Sequence, residues 1–360
     1  MRVLQVLGNL GYGGIETFLM NVYRHIDRDK IQFDFLVRSD NNGEKVQEIE
    51  SMGGRVFFSP SFIRHPVANY IFVRKFFKNH AEEYDAVHVH CNSFIYPLPV
   101  ALAHKHKIKT IILHSHNTCN HGKLITLYHR FNERRYDKYL SYRFACSEEA
   151  GKWMFENKPF SVVHNGIDLD VFRIDNENKA RSRNKLGLAE KDLVIGHVGR
   201  FAEQKNHSFI IDIFSELHKQ SENYKLLLVG DGELKENVLN RVMELGLTDS
   251  VVFTGNVSNV QDYMQAMDLF ILSSKYEGLG IVGIEAQACG LPCVFSTEVP
   301  NEAKIIEKVE FVSLEDKQKW IETIEKMVTL PKTVNTDIIR AAGYDIDETA
   351  KKLEDIYLNR

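Results

Sequence analysis

Long hydrophobic runs are absent from this sequence of 360 residues. No stretch approaches the roughly 20 consecutive apolar residues of a membrane-spanning helix. The apolar run after Met1 is too short for a signal peptide, and no small-residue cleavage site follows it, so we expect a first buried strand there. Glycine (22 residues) and proline (8 residues) are too rare for a collagen-like or low-complexity chain.

Cysteine is also scarce, and only Cys289 and Cys293 of the five cysteines lie close together. Their spacing matches no metal site, and an odd number of scattered cysteines does not suggest a disulfide framework. We therefore expect free thiols and a cytoplasmic protein, because the cytoplasm is reducing.

Hydrophobic residues make up 44% and charged residues 26% of the chain, a globular balance that excludes a disordered protein. The net charge of −4 is uneven, since residues 1–168 carry 22 basic and 17 acidic side chains and residues 169–360 carry 23 and 32. This asymmetry is either chance or a sign that the first part faces an anionic partner. Nucleic acid is not expected, because the overall charge is negative and no known binding motif is present.

Apolar runs of strand length alternate with segments of helical periodicity, the pattern of parallel α/β sheets whose strands are buried on both faces. A polar segment at 169–192 separates two series of such runs. The length also suggests about two domains. The runs lie at 3–7, 33–37, 86–90, 110–113 and 144–146, then at 194–198, 225–229, 251–253, 269–272 and 293–295.

We therefore predict an α/β protein of two doubly wound, Rossmann-like domains facing a central cleft, since such sheets bind ligands at the carboxyl ends of their strands. The predicted domains are 1–175 and 176–345. Residues 346–360 are predicted to form a closing helix that packs back on the N-terminal domain.

The strongest functional signal is the stretch 277–285, which reads EGLGIVGIE after a predicted strand and a polar turn. Its glycines allow a tight turn, and the N–H groups of the helix that begins near Ile281 can bind phosphate. A carboxylate accepts hydrogen bonds from vicinal hydroxyls, so Glu277 and Glu285 suit a ligand with a sugar, a diphosphate and a ribose. The alternative is a plain glycine-rich turn with surface glutamates.

Arg200 and Lys205 follow the predicted strand 194–198, so both cations lie at the carboxyl end of a strand. Two preorganised cations there would stabilise a departing nucleoside diphosphate without a metal. The alternative is a pair of solvated surface charges.

The seven-residue spacing of Glu277 and Glu285 resembles the paired-glutamate motif of retaining glycosyltransferases of family four, which have the GT-B fold. The similarity extends over almost the whole chain. Residues 11–16 resemble the family's glycine loop and 199–206 its diphosphate-binding segment. Residues 114–117 and 165–168 resemble the exopolysaccharide and capsule glycosyltransferases of the EpsF type.

The resemblance implies an N-terminal acceptor domain, a C-terminal nucleotide-sugar domain and a set of site residues. Glu277 would hold the donor sugar, Glu285 its ribose, and Arg200 and Lys205 its phosphates. Its implied catalytic residues are Glu277, His114, Arg200 and Lys205, and its further donor contacts are Gly13, Gly14, Gly278, Leu279, Gly280, Ile281 and Glu285. His116, Gly230, Gly232 and Asn165 are possible additional contacts.

His114 and His116 point to the same side of an extended chain, as do His88 and His90. The first pair could bind a metal, but no third ligand adjoins it. His88 and His90 form a similar pair elsewhere, which we expect to end a neighbouring strand near the predicted cleft. Asp-x-Asp pairs at 27/29, 168/170 and 345/347 lack a strand-end acidic cluster. We expect no metal and no cofactor, as the resemblance also implies.

The implied function is transfer of a hexose or N-acetylhexosamine, with retention, from a nucleotide diphosphate sugar, expected to be UDP-linked. The expected acceptor is a lipid-linked saccharide, with a polyprenyl diphosphate as one candidate carrier, in exopolysaccharide or capsule synthesis. The alternatives are a nucleotide-sugar epimerase or dinucleotide-using oxidoreductase, for which the first glycine turn lacks the required Gly-x-Gly-x-x-Gly, and a non-catalytic sugar-nucleotide sensor.

Basic and aromatic residues interleave at 121–145, and Leu124, Leu127, Tyr128 and Phe131 follow helical spacing. Such a helix could rest on anionic lipid at the inner face of the cell membrane. The alternative is an ordinary helix whose apolar side faces the core.

Overall fold

The computed structural model describes residues 1–11, 13–39, 45–117 and 122–358, apart from the side chain of Asn176. The chain forms two compact units. Unit 1 comprises Met1–Ile167 and Gly343–Arg360, and unit 2 comprises Asp168–Ala342.

Unit 1 contains a parallel sheet of seven strands within the described residues, in the order β3-β2-β1-β4-β5-β6-β7. The chain builds one side of this sheet outward from β1 and then the other, which is the doubly wound arrangement. The strands are β1 (Arg2–Leu7), β2 (Gln32–Val37), β3 (Arg55–Phe58), β4 (Ala86–Cys91), β5 (Thr110–Ser115), β6 (Tyr142–Ala145) and β7 (Ser161–Val162). The helices between them are α1 (Gly14–His25), α2 (Val46–Ser51), α3 (Pro66–His80), α4 (Leu98–Lys105), α5 (Lys123–Tyr136) and α6 (Glu148–Phe155).

Unit 2 repeats this plan with six parallel strands in its described part, in the order β10-β9-β8-β11-β12-β13. The strands are β8 (Leu193–Val198), β9 (Tyr224–Val229), β10 (Val251–Phe253), β11 (Leu269–Leu272), β12 (Cys293–Ser296) and β13 (Val309–Val312). The helices are α7 (Asn176–Leu186), α8 (His207–Gln220), α9 (Lys235–Glu244), α10 (Val260–Ala266), α11 (Ile281–Ala288), α12 (Lys317–Met327) and α13 (Thr336–Ala341). The predicted fold class of two Rossmann-like α/β domains is confirmed.

The polar segment at 169–192 is more ordered than its composition indicated. Asp175 accepts hydrogen bonds from the N–H groups of Glu177 and Asn178 and so caps α7. Arg183 within this helix is buried, and its Nε donates to the carbonyl of Ala266 at 3.0 Å. The segment therefore adds a helix to unit 2 rather than serving only as a connection.

The last helix, α14 (Ile346–Tyr357), packs against α1 in unit 1. Ile346, Leu353 and Tyr357 belong to the same buried hydrophobic cluster as Phe18 of α1. An isolated bridge between Ile167 and Asp345 joins the returning chain to the end of unit 1. The structure thus divides the chain after Ile167 and Ala342, whereas the sequence placed these divisions at 175 and 345.

Helix α5 places polar side chains inward and apolar side chains outward. The Nδ2 of buried Asn132 donates to the carbonyl of Phe94 at 2.9 Å, and buried Glu133 pairs with Lys158. Its exposed apolar residues are Leu124, Ile125, Leu127, Tyr128 and Phe131. The interpretation of this segment as an ordinary helix with its apolar side in the core was therefore wrong. Within the described residues, no helix combines the length and the apolar character that crossing a bilayer requires.

Candidate active site

The loops after β8 and β11 are joined side by side in unit 2. Gln204 of the first loop donates from Nε2 to the carbonyl of Tyr276 at 2.9 Å, and its own carbonyl accepts from the N–H of Lys275 at 2.8 Å. Ser273 Oγ donates to the carbonyl of Lys205 at 3.2 Å. Since β8 and β11 are adjacent parallel strands, these loops lie at the edge where such sheets bind ligands.

Glu277 is the centre of these contacts. Its Oε1 accepts from Lys205 Nζ at 2.5 Å and from Ser274 Oγ at 2.6 Å, and its Oε2 accepts from Gln204 Nε2 at 3.3 Å. Lys205 and Glu277, which the sequence placed in separate roles on one ligand, thus contact each other directly. The side chains are 16% and 7% exposed, so the pair is largely desolvated and its charges must be compensated locally.

Arg200 lies in a more open position. Its guanidinium pairs with Glu233 at 3.0 Å, while the side chain stays 73% exposed. Gly230 of the same turn has φ +135°, and a Cβ there would lie 2.1 Å from the carbonyl oxygen of Gly199. Gly232 is similarly close to Phe201. Close backbone packing thus explains both glycines, and their contact with a nucleotide stays a prediction.

The glycine turn before α11 has the geometry of an anion-binding terminus. Gly280 is the N-cap residue with φ +77°, a left-handed conformation that glycine adopts without strain. Leu279 is buried, whereas Gly278 and Ile281 are half-buried. The first N–H groups of a helix have no partner within the helix, so this terminus can bind a phosphate.

Glu285 lies about one turn into α11 and is half-buried. Burial raises the pKa of its carboxyl to about 7, and the positive charge of Lys205 opposes this rise. No hydrogen bond or ion pair joins its carboxylate to another residue of the described chain. Its oxygens therefore remain available as acceptors for hydroxyl groups of a ligand.

Two histidines that the sequence analysis did not single out lie beside Lys205. His197 ends β8 and His207 begins α8; their rings meet edge-on at 4.8 Å, and both are buried. Burial lowers the pKa of His197 to about 4 and that of His207 to about 2, and the charge of Lys205 adds to both effects. His197 lies near the end of β8 and three residues before Arg200, and this strand-end position was the signal that could have drawn attention to it.

The predicted site residues of unit 1 lie at the ends of β1, β5 and β7. Gly13 is the N-cap of α1, and a Cβ there would lie 2.1 Å from Oε2 of buried Glu16, whereas Gly14 faces open space. Tyr12 of the same glycine loop lies outside the described residues. Asn165 is buried, and its Oδ1 has no hydrogen-bond partner among the described residues.

His114 is fully buried at the end of β5, and neither ring nitrogen has a hydrogen-bond partner in the described part of the chain. His116 is half-buried and so is the more accessible of the two. His90 of β4 lies opposite His114 in the sheet. The strand of His88 and His90 is thus the neighbour of β5, as expected, and the register brings all four rings together. The expectation that no third histidine adjoins His114 and His116 was wrong.

The arrangement in unit 2 provides the groups that a sugar nucleotide needs. The cations Arg200 and Lys205 suit a diphosphate, the start of α11 offers backbone donors, and Glu277 and Glu285 offer acceptors for hydroxyls. These groups come from helix α11 and from two loops that hydrogen bonds hold together before any ligand binds. Such preorganisation favours stabilisation of charge that develops as a leaving group departs.

Comparison with protein families agrees with this chemistry. Residues 12–171 match the model of Glycosyltransferase Family 4, and residues 178–342 match that of Glycosyl transferases group 1. The boundary between the matches falls near the division between the two units.

Full-length relatives were also found. The chain is 32% identical over 380 aligned positions to the protein named as glycosyltransferase EpsF of Bacillus subtilis, covering 99% of this chain and 96% of that protein. It is 24% identical to the capsular polysaccharide biosynthesis glycosyltransferase CapH of Staphylococcus aureus, covering 100% and 99%. The crystal structure of HepE from Anabaena in complex with UDP and glucose superposes with a TM-score of 0.81, at 18% identity and full coverage of both chains. This last similarity shows a common fold.

Proposed function

Given that this chain belongs to the glycosyltransferases of group 1 and family 4, we propose that it transfers a hexose or N-acetylhexosamine from a UDP-linked donor with retention of configuration. We propose a saccharide carried on a lipid diphosphate as the acceptor and assembly of an exopolysaccharide or capsule as the role. The capsular role of CapH and the UDP bound to HepE support this choice of pathway and donor.

The observation that carries the proposal is the desolvated pair of Lys205 and Glu277 beside the unpartnered carboxylate of Glu285. A diphosphate would take N–H groups of Lys205 that now face Glu277, and the sugar hydroxyls would then supply donors to the Glu277 carboxylate. The ribose would bind Glu285. The ligand thus replaces each contact that it breaks, which keeps the buried charges compensated.

The proposed reaction breaks the bond between the anomeric carbon and the diphosphate oxygen and forms a bond to an acceptor hydroxyl on the same face of the sugar. Lys205, Arg200 and the first N–H groups of α11 stabilise the departing diphosphate. Its phosphate oxygen takes the proton of the attacking hydroxyl. A retaining glycosidase would instead need a carboxylate nucleophile with a second carboxyl about 5 Å away. Glu277 lacks the freedom for that attack because three side chains hydrogen-bond to it.

The complete burial of His114 argues against the direct sugar contact that the resemblance implies for it. Its ring has no exposed surface, while His116 is half-buried at the same strand end. We therefore propose that His116, rather than His114, makes the direct contact from unit 1 with a sugar hydroxyl. His114 would act on the ligand only through neighbouring rings.

The outward-facing apolar side of α5 supports a lipid-linked acceptor and binding to the membrane surface. Leu124 and Leu127 are 71% and 66% exposed, and Lys123, Arg134 and Arg135 lie exposed on the same helix. The single acidic residue of α5, Glu133, is buried and paired with Lys158. Apolar residues flanked by unpaired cations suit a surface of anionic lipids.

The donor is tested by measuring thermal stabilisation with a panel of UDP and GDP sugars, followed by turnover of the ligand that stabilises most. We expect stabilisation by a UDP sugar and release of UDP when a lipid-linked saccharide is added. Binding without turnover on any acceptor would favour a sugar-nucleotide sensor. Bound NAD, seen by its absorbance in the purified protein, would favour an epimerase or oxidoreductase.

Membrane binding is tested by sedimentation with vesicles. The double variant Leu124→Ser/Leu127→Ser should lose most of its binding to anionic vesicles, while Met243→Ser, which removes an equally exposed apolar side chain from α9 of unit 2, should not. Equal binding of the wild-type protein to neutral and anionic vesicles would contradict the electrostatic part of the proposal.

A further inference from the structure

Four histidines form a compact block in unit 1, which we call the histidine cluster: His88 and His90 of β4, His114 of β5 and His116 directly after β5. Alternate residues of a strand point to the same face, and the register pairs His90 with His114. The ring centroids of His88 and His90 are 4.1 Å apart, as are those of His114 and His116. Across the strands, His88 and His114 are separated by 5.3 Å.

The cluster holds buried nitrogen atoms that lack hydrogen bonds. Within the described residues, Nε2 of His88, both nitrogens of His114 and Nδ1 of His116 have no partner. A neutral imidazole carries one donor and one acceptor, and a buried donor or acceptor without a partner destabilises the folded chain. A ligand that binds lone pairs would remove part of this cost.

Outer hydrogen bonds orient two of the rings. His90 Nε2 lies 2.9 Å from Oε1 of Gln5, and because an amide oxygen only accepts, His90 carries its proton on Nε2. The lone pair on its Nδ1 lies 2.9 Å from Nε2 of His116, a hydrogen bond that an ion bound there would replace. His88 Nδ1 lies 2.7 Å from the hydroxyl of Tyr357, which leaves Nε2 facing the cluster. Metal-binding histidines are held in the same manner, by a hydrogen bond to the nitrogen that does not bind the ion.

The spacing of the nitrogens suits one ion after a small contraction. One nitrogen each of His88, His90 and His114 lie within 4.8 Å of one another. Ligand atoms about 2.0–2.1 Å from a tetrahedral zinc ion lie about 3.3 Å apart, so ring rotations must close the group by roughly 1.5 Å.

We propose that His88, His90 and His114 bind a divalent transition-metal ion of the zinc type. Imidazole nitrogens favour zinc, cobalt, nickel or copper, whereas magnesium and calcium need the oxygen ligands that this cluster lacks. The ion would tie β4 to β5 and, through Tyr357 and His88, to α14. The sequence argument against a metal treated the two His-x-His pairs separately, and the sheet register brings them together.

The test uses the full-length protein, stripped with a chelator, incubated with Zn²⁺ or Co²⁺ and desalted before elemental analysis. We expect close to one ion per chain and a rise in the unfolding temperature. His114→Phe should abolish both effects, because phenylalanine fills similar space without a ligand atom. His104→Gln is the matched control, since His104 is exposed and stacks on Tyr139 at 3.8 Å outside the cluster.

If His114→Phe does not fold, as judged by circular dichroism, X-ray absorption of the zinc-loaded wild-type protein decides the question. Three or more imidazole nitrogens at about 2.0 Å would support the site. Loading below about a tenth of an ion per chain, equal loading of His114→Phe and the wild-type protein, or a shell dominated by oxygen would overturn it.

Discussion

Units 1 and 2 have the same order of strands around β1 and β8, but the polar residues at the carboxyl ends of those strands differ in charge. In unit 2 the site is built from ions, with Lys205 against Glu277 and Arg200 against Glu233. In unit 1 the corresponding edge holds neutral imidazoles, which burial keeps unprotonated.

The carboxyl ends of the strands therefore serve different purposes in the two sheets. Ions at a partly open edge can exchange their partners for the phosphates and hydroxyls of a ligand, so removing them should affect activity more than stability. Neutral rings enclosed beneath α1 and α14 have no such exchange, and changes to their hydrogen bonds should affect the stability of unit 1. The predictions below test this division.

The largest effect is expected when both charges of the central pair are removed together. Lys205→Met/Glu277→Gln should lower turnover by about 10²–10³-fold, the usual loss when one preorganised group at a developing charge is deleted. Stability should change little, because removing both partners leaves no uncompensated buried charge. Initial rates and thermal unfolding measure the two quantities.

The control for that pair lies in the same two loops. Lys275 and Glu203 form an exposed ion pair, and Lys275→Met/Glu203→Gln removes equal charge without touching Glu277. Its turnover should stay near the wild-type value. Equal losses in the two double variants would show that the loops need charge in general rather than Lys205 and Glu277 in particular.

Much of this architecture could be predicted from the sequence. Each of the ten apolar runs lies in or overlaps a strand, because strands buried on both faces are continuously apolar. The runs at β3, β7 and β13 were missed. β7 has only two residues, and β3 and β13 are edge strands that each contain a charged residue, Arg55 and Glu310, which shortens the apolar run.

The site was predictable to the level of residues but not of contacts. Lys205 and Glu277 could be identified as site residues because they follow the predicted strands β8 and β11. Their direct pairing and the hydrogen bond from Ser274 to Glu277 depend on how the two loops pack against each other. The histidine cluster depends likewise on register. The two His-x-His segments were expected on neighbouring strands, but only the observed register shows which rings face each other.

A smaller loss of activity is expected at the exposed cation. Arg200→Ala should lower turnover about tenfold, while the free energy of unfolding should change by less than about 0.5 kcal/mol, because exposed ion pairs contribute little to stability. Glu233→Ala is the control, since it removes the partner and leaves the cation for the donor phosphates. Turnover of Glu233→Ala as low as that of Arg200→Ala would mean that the ion pair, and not the cation, matters.

The pH dependence of stability at Glu285 tests the same difference between the two units. Its folded-state pKa of about 7 exceeds the ordinary 4.5, so the folded chain keeps a proton that the unfolded chain has lost, and stability falls as pH rises from about 4.5 to about 7. Glu285→Gln should therefore raise the unfolding temperature at pH 8 but not at pH 4. Ligand binding needs the ionised form and should act in the opposite direction.

Donor affinity should therefore show the opposite pH dependence to stability. Wild-type affinity for the donor should weaken as pH falls from 8 to 6, because Glu285 becomes protonated while the diester phosphates of a sugar nucleotide do not titrate. Glu285→Gln should bind several-fold more weakly at pH 8 and show a flatter pH profile by calorimetry. A wild-type affinity independent of pH would remove Glu285 from the ribose contact.

The smallest effect is expected in unit 1, at the hydroxyl that serves both Gln5 and His88. Tyr357→Phe removes contacts of 3.3 Å and 2.7 Å and should cost about 1 kcal/mol, or roughly a fivefold loss of hydrogen-exchange protection in β1 and β4. Donor affinity should not change, because unit 2 supplies its charged contacts. Tyr128→Phe removes an exposed hydroxyl from α5 and should leave protection intact. A weaker donor affinity in Tyr357→Phe, with protection unchanged, would mean that the buried rings serve binding rather than the stability of unit 1.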